Sequence, residues 1–386
     1  DALFRSSFIN VIARGFGYLK NVAIAVLFGF NFQTDAFFMA LSLMGIFLIF
    51  ADVFNSIGVP QLVIAKLQNQ EEFKNLAGLL LTLTVILTLG ITLISVIAYP
   101  IVSLIPVGFD KTSLHYMGRV YFLLLPYLAL NFVFHYCGAV LRSIRRFTQY
   151  FIGELIFSFF SFLFTLLGLY YFHNYKALPL ALSLAQILST VYIIIISKEF
   201  LSFKFFMNDT TKQILRHFGY LCLLYGTFYL FLVVDKSFAS LLPEKSISAL
   251  TYGYMIAYIP LSIIRLDQIT ITSLSEERGS IKKLNFYLKK IILISIPILV
   301  FYLLFAGILI KLLFFYGHFT NTDFNLTRIA ATVYAFGIPF WFMWPLIYRV
   351  FQTRDYLKPV FLIGLSGIIV NALLNYLFIL KFYLGI

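Results

Sequence analysis

NLAGLLLTLTVILTLGITLISVIAYPIVSL, residues 75–104, runs for thirty positions without a charged side chain. A helix that crosses a bilayer needs about 20 consecutive, mostly apolar residues. Lipid offers no partners to backbone groups that are not already paired within their own helix. The stretch therefore reads as a membrane-spanning helix. Working outward, the same rule finds further spans at 6–28, 35–60, 113–141, 147–172, 177–197, 213–240, 246–274, 286–314, 325–348 and 357–381. A β-barrel would show short alternating strands, whereas these runs are long and continuous. The chain reads as an all-α polytopic membrane protein with about 11 transmembrane helices.

Composition agrees. Hydrophobic residues occupy 61% of the 386 positions and charged residues 12%, against roughly 45–50% and 25% in soluble domains. A water-soluble core stops growing with chain length, so this apolar excess must face lipid. The two cysteines, Cys137 and Cys222, lie in apolar runs and imply no disulfide framework. The sequence opens at Asp1 and runs straight into a long apolar stretch, with no cleavable signal peptide, so the first helix is expected to remain a span.

The basic residues fix a direction. Arg5, Lys66, Lys74, Arg142, Arg145, Arg146, Lys198, Lys204, Lys212, Arg216, Arg278, Lys282, Lys283, Lys289, Lys290, Arg349, Arg354 and Lys358 fall at one end of the predicted spans. Lys111, Lys176, Lys236, Lys245, Lys311, Arg328 and Lys381 fall at the other. Loops rich in Lys and Arg stay cytoplasmic, so the N-terminus is expected inside and the C-terminus outside. This distribution also accounts for the net charge of +13. Positive loops facing anionic lipid explain it without a nucleic-acid partner.

The polar connection 198–212 separates six spans from five, giving lobes 1–205 and 206–386. LRSIRRF (141–147) leaves the fourth span as IYRVFQTRD (347–355) leaves the tenth, and TDAFF (34–38) opens the second as SALTY (248–252) opens the eighth. These pairs are consistent with a parallel repeat of six helices per lobe.

RGFGYLKNVAIAVLFGFNFQTDAFF (14–38) resembles the opening of the MurJ/MviN family of lipid II flippases, in the multidrug/oligosaccharidyl-lipid/polysaccharide exporter superfamily. LRSIRRF (141–147), VDKSFASLLPEKSISALTYGYMIAYIP (234–260), FFYGHFTNTDFNLT (314–327) and RVFQTRDYLKPV (349–360) resemble later segments of that family in order and spacing. The resemblance implies a MATE-like two-lobe bundle around a central cavity in the bacterial inner membrane. It implies a flippase that moves a polyprenyl-pyrophosphate sugar outward by alternating access, in peptidoglycan and cell-wall biogenesis. The family has fourteen helices, the last pair supporting a groove for the lipid tail. The sequence is therefore expected to be truncated after the equivalent of helix eleven, the alternative being a protein that works without that groove.

Charges inside a membrane are costly, so each one is a functional hypothesis. Arg14 matches a cavity arginine of the family, and Lys20 stands where the family has a second arginine. Both would bind a pyrophosphate, Lys without the bidentate fork, unless they snorkel to the interface. Asp35 matches a family acid that would pair with Arg14 or Lys20, taking turns on them with the substrate phosphate; its other reading is an acid at a helix N-terminus. A helix-two basic pair is replaced by apolar residues near Leu48 and Ile49, and a helix-eight arginine is missing near Met255, with Arg265, Asp267 and Gln268 one to two turns further on. Arg265 is the substrate-binding candidate there. Asp52, Arg119 and Glu154 read as structural ion pairs. Asp235 matches an aspartate that binds sodium in some family members, and Asn371 and Asn375 would add neutral oxygens; the alternative is that Asp235 pairs with Lys236.

No phosphate-binding loop, dinucleotide fingerprint, zinc-protease motif or nucleophile elbow occurs, and no enzymatic chemistry or organic cofactor is expected. The driving force would be sodium or the membrane potential. Pro339 and Pro345 flank WFMW (341–344), a kink or hinge. Two other readings remain at this stage: a flippase for another lipid-linked oligosaccharide, of the O-antigen type, or a non-transporting membrane scaffold.

Overall fold

The computed structural model describes residues 2–206, 209–263, 280–353 and 356–382. Among them every regular element is helical. In chain order α1 is Ala2–Leu27, α2 Phe32–Gln68, α3 Gln70–Val102, α4 Lys111–Leu123, α5 Leu125–Ser143, α6 Phe147–Phe172 and α7 Ala177–Ser197. A 3₁₀ turn at Lys198–Phe200 leads on, and α8 is Asp209–Ala239, α9 Ser246–Ile263 and α10 Ile281–Phe314. Helices α11 (Asn321–Ala335), α12 (Ile338–Thr353) and α13 (Leu357–Asn375) follow, α13 continuing into a π-helical turn at Tyr376–Lys381.

Local chemistry sets the boundaries. Asn31 caps α2, accepting from the Gln33 and Thr34 amides at 2.9 and 3.1 Å, and its own amide donates to Thr34 Oγ1 at 2.8 Å, a reciprocal capping box. Asn69 ends α2 and caps α3 through the Glu72 amide at 2.7 Å. Asp110 caps α4 through the Ser113 amide at 2.8 Å, a bond that holds its carboxyl below the usual range. Thr320 and Asp323 form a second capping box at α11.

By length and composition, eight described segments qualify as membrane spans, or nine when the bent pair α11–α12 is one span. α4 and α5 together count as one of them. The sequence reading of eleven exceeds this by α1 and α9. α1 carries Asn10, Arg14, Lys20 and Asn21, and the expected span 246–274 runs on past the described end of α9 at Ile263. Polar side chains on a helix of this length signal a face turned toward protein or water rather than lipid.

α1 packs on α6, α6 on α7, and α5 on both α2 and α7. In the second half of the chain α9 packs on α11, and α10 on α11 and α12. α8 lies between α2 and α13. Close approach needs small residues: Gly253 faces Ala330 and Ala331, and Gly367 faces the Phe231 ring. Each half of the chain contains a broken helix pair. α4–α5 breaks at Leu124 just before Pro126, and α11–α12 breaks at Phe336–Gly337 just before Pro339 with a bend of 44°. Proline lacks the N–H that would continue the preceding helix, so both breaks follow from its position. The bend lies on the near side of Pro339 rather than within the WFMW run.

At one end of the bundle, called here the basic end, Arg146 pairs with Glu199 at 2.9 Å and Lys204 binds Asn75. The opposite end carries the α1–α2, α3–α4, α8–α9 and α10–α11 connections.

Candidate functional site

At that opposite end the two halves of the chain close on each other in a reciprocal way. The α3–α4 connection docks on the end of α8: the Gly108 amide donates to Ser240 Oγ at 2.9 Å, and Ser237 Oγ donates to the Ile105 carbonyl. The α10–α11 connection docks on the end of α1, where the His318 amide donates to the Val26 carbonyl at 2.8 Å. Gly108 and Gly317 are the contact points. A methyl on either would collide with backbone, Ser240 for the first and Val26 for the second, and Gly317 also needs its φ of 57°. Equivalent loops of a twofold repeat would dock in this mutual fashion.

Asp35 stands at the centre of this closure. Its Oδ1 accepts from the Ser248 amide at 2.8 Å and from Ser248 Oγ at 2.5 Å, and its Oδ2 accepts from the Lys245 amide at 2.7 Å. Thr34 Oγ1 lies 3.2 Å from Ser248 Oγ. The carboxylate thus caps α9 from a different helix, satisfying amides that have no partner within α9 and meeting its positive end. Alongside, Glu244 accepts from the Phe32 amide at 2.6 Å, a bond running the other way between the same helices. Lys245 reaches the fully buried Asp323 at 2.9 Å.

α1 brings a polar stripe to the boundary between the halves. Asn10, Arg14, Tyr18 and Asn21 lie four, four and three residues apart, on one helix face. Tyr18 Oη lies 3.2 Å from Ser262 Oγ, Asn21 Nδ2 is 2.9 Å from Met255 Sδ, and Tyr252 Oη donates to the Asn21 carbonyl at 2.6 Å. This face therefore looks at α9. Arg14 continues it one turn toward the basic end, exposed, with Asn10 at 3.5 Å its hydrogen-bond partner among the described residues, too far to hold it firmly. A methyl placed on Gly15 or Gly17, on either side of Arg14 around the helix, would meet nothing within 4 Å.

The sequence-derived set does not converge as one group. Arg14 lies about 20 Å along the helix from the end of α1, and Asp35 is beyond that end, bound to α9 instead of to a cation. Its pairing with Arg14 or Lys20 is replaced by the capping role because the α9 amides are nearer. Lys20 is one turn from Phe16, whose ring packs on Phe159 and Phe162 of α6. It leaves α1 from that flank, away from the Arg14 stripe, and has no hydrogen-bond partner among the described residues. Arg265, Asp267 and Gln268 lie outside the described residues, as does the Asp52 side chain.

The second set does come together. Asn371 and Asn375, one turn apart on α13, both donate to Asp235 Oδ1 on α8, at 2.8 and 3.0 Å, and Asn375 Nδ2 also lies 3.1 Å from Asn371 Oδ1. Lys236, the next residue, points 100° away and binds α2, at 2.7 Å to Ser42 Oγ and 3.4 Å to the Phe38 carbonyl. Asp235 is held by the amides and not by its neighbour. One carboxylate with two amide oxygens, which a flip of each amide would present, is a donor set suited to a hard monovalent cation. It has too few charges for a divalent one.

Of the remaining intramembrane charges, Glu154 accepts from Tyr150 Oη at 2.8 Å. Arg119 is exposed and makes no ion pair among the described residues. Sequence reasoning missed Glu244, Ser248 and the Gly108–Ser240 contact, whose significance depends on helices remote in sequence. It also placed Lys236 in a connection. The one available signal was the offset of Gly108 from Gly317, which equals that of Arg119 from Arg328.

Comparison with known proteins gives a consistent result. A family model described as lipid II flippase MurJ matches residues 24–385. The probable lipid II flippase MurJ of Aquifex aeolicus is 26% identical over 399 residues, covering 97% of this chain and 79% of that protein. The Rickettsia prowazekii counterpart is 28% identical over 403 residues, covering 97% and 78%. Among solved structures, a lipid II flippase MurJ in an inward closed conformation superposes with a TM-score of 0.79 at 21% identity, covering 97% of this chain and 81% of that one. An inward-facing MATE family transporter of the MOP superfamily superposes with a TM-score of 0.67 at 15% identity, covering 96% and 97%.

Proposed function

Because this chain belongs to the lipid II flippase MurJ family, we propose that it carries lipid II, or a closely similar polyprenyl-pyrophosphate sugar, across the bacterial cytoplasmic membrane by alternating access. It is a transporter and not an enzyme. The basic end faces the cytoplasm, as its Lys and Arg content favours, and the N-terminus lies on that side. Residues 1–205 and 206–386 act as the two moving lobes.

One observation carries the reading. Among the described residues polar contacts join α1 to α9 from the far end down to Tyr18–Ser262, and Arg14 stands exposed on the same face of α1 one turn further toward the basic end. That is the arrangement of a carrier closed outward, with a cation waiting on the inward side. Arg14 binds the pyrophosphate by charge-assisted hydrogen bonds while the polyprenyl tail stays in lipid. Closing the basic end and releasing the Asp35 cap would then turn the site outward. Lys20 and Arg265 are secondary candidates for the same headgroup.

Asp235, Asn371 and Asn375 are the residues that would hold a sodium ion, whose charge would neutralise Asp235 and link α8 to α13. The ion would supply a gradient to drive the return step; the membrane potential acting on the cationic headgroup site is the other source of drive.

The test uses Arg14→Ala and Arg14→Lys in a strain depleted of its own flippase, with lipid II binding measured on the purified protein. Arg14→Ala should fail to support growth and bind lipid II at least tenfold more weakly, since a charge-assisted contact contributes about 1.5–3 kcal/mol. Arg14→Lys should recover part of both. Normal growth and binding by Arg14→Ala would remove the mechanism. Selective binding of an O-antigen precursor over lipid II would redirect the substrate, a possibility that the apolar Leu48 and Ile49 keep in view.

A further inference from the structure

Basic residues are disfavoured at the end of a membrane protein away from the cytoplasm, so those found there require a reason. Lys236 is bound to Ser42, and Lys245 to Asp323. Three of the others, Lys176, Lys311 and Arg328, together with Arg119, line two hollows on the outer flank of the bundle. The first, of about 570 Å³, lies between the end of α3, α4 and the start of α7, with Tyr99, His115 and Phe122 beside Arg119 and Lys176. The second, of about 550 Å³, lies between α10 and α11, with Leu304, Ile308 and Phe324 beside Lys311 and Arg328.

The two hollows occupy equivalent places in the repeat. Each is formed where the third and fourth spans of its half meet. Arg119 and Arg328 stand about two turns into α4 and α11, roughly 12 and 10 Å from the helix starts. That is the depth at which an arginine reaches the phosphate layer by extending its stem along the helix. The walls are apolar and open outward: Phe122, Leu304 and Ile308 are exposed. Lys311 and Arg328 both lie over the Phe324 ring, at 5.2 and 5.8 Å. None of the four cations has an acidic partner among the described residues.

We propose that each hollow holds one anionic phospholipid of the leaflet away from the basic end. Arg119 and Lys176 bind the phosphodiester in the first half of the chain, and Lys311 and Arg328 bind it in the second. Guanidinium groups grip phosphate with two parallel hydrogen bonds, and the acyl chains lie along the exposed apolar walls. Two unneutralised cations per hollow favour a headgroup of net negative charge over a zwitterionic one, whose ammonium they repel. Each lipid sits beside a broken helix: Leu123 borders the first hollow one residue before the α4–α5 break, and Val333 borders the second just before the α11–α12 bend.

Native mass spectrometry of the protein released from vesicles of equal phosphatidylglycerol and phosphatidylethanolamine tests this. The protein should retain up to two phosphatidylglycerol molecules and no comparable phosphatidylethanolamine. Arg119→Gln with Lys176→Gln should lose one, Lys311→Gln with Arg328→Gln the other, and the fourfold variant both, whereas Arg14→Ala should keep both. Equal retention of the two lipids by the unaltered protein, a measurement that depends on no variant folding, would overturn the proposal. So would undiminished phosphatidylglycerol on the fourfold variant. Loss on Arg14→Ala alone would place the lipid in the central site and equally refute it.

Discussion

Asp35→Asn should open the sealed end of the bundle. The carboxylate serves two acceptor positions at once, Oδ1 for Ser248 and Oδ2 for the Lys245 amide. Asparagine can fill only one of them, because its amide nitrogen must face either the Lys245 N–H or the Ser248 donors. One amide at the start of α9 is then left unpaired, at a cost of about 1–3 kcal/mol, and the surviving bonds fall from about 1.5–3 to about 0.5–1.5 kcal/mol each. The attraction between the carboxylate and the positive end of α9, about 0.3–1 kcal/mol or somewhat more when buried, is also lost. In the open state water serves all these groups, so most of the difference falls on the closed state alone. Allowing for non-additivity, the closed state should weaken by about 3 kcal/mol, a change of about 100-fold in the closed-to-open ratio. The assay is pulsed electron resonance between spin labels at Lys111→Cys and Tyr316→Cys, both exposed at this end, with Cys137 and Cys222 replaced by Ala. The Asn variant should gain a population of longer distances. A distance distribution identical to that of the parent would refute the capping argument, and Ser248→Ala, which removes one donor only, should fall between the two.

Gly108→Ala and Gly317→Ala should shift the same distances in the same direction, because each new methyl meets backbone of the other half; Gly15→Ala, facing open space, should leave them unchanged. Lys245→Ala strands the buried Asp323 carboxylate, a loss of about 3–5 kcal/mol for a fully buried pair and about 2–3 here because the lysine is a quarter exposed. The melting temperature in detergent should drop clearly, and Asp323→Asn, which preserves the Thr320 cap, should be milder. Asp235→Asn should keep the α8–α13 hydrogen bonds but abolish sodium-dependent transport and binding of radioactive sodium, and undiminished sodium binding would assign the ion elsewhere.

The helices were legible from sequence because lipid forces a simple rule on them: long apolar runs must pair their own backbone. Span boundaries at 147–172 and 177–197 coincide with α6 and α7. α2 runs past its expected end at residue 60 to Gln68, since a helix that has left the bilayer needs no apolar content to continue. Asp235, Asn371 and Asn375 were placed together on a family resemblance and on the one-turn spacing of the asparagines, and the structure brings them within hydrogen-bond reach. Asp35 was harder. Its sequence context suits either a partner for cations or a helix-terminal acid, and only the approach of α9, more than two hundred residues away, decides between them. Lys20 illustrates a related limit. A 120° separation from Arg14 permits a shared cavity, but which side of the helix faces α6 is set by packing that periodicity alone does not reveal.

The two faces of α2 separate a lasting contact between the halves from the seal that opens and closes. Against α8, toward the basic end, the contact is apolar: Phe50 on Phe218, and Ile57 with Leu215 and Phe218 around a nearly closed void. Exposing such surfaces to water costs about 25 cal/mol per Å² with nothing to offset it, so that contact persists and serves as a pivot between the lobes. At the far end α2 meets α9 through Asp35, Thr34 and Phe32, and the neighbouring loops meet α8 and α1 through Ser240 and His318. Water can replace each of these hydrogen bonds, so each favours closure by only about 0.5–1.5 kcal/mol net, or about 1.5–3 where a charge takes part. Beside them Phe30 and Phe38 of the first half pack on Tyr252 and Phe319 of the second, so polar and apolar contacts close this end together. A bound anion on Arg14 or a cation on Asp235 shifts the balance of closed and open states by its difference in affinity for the two.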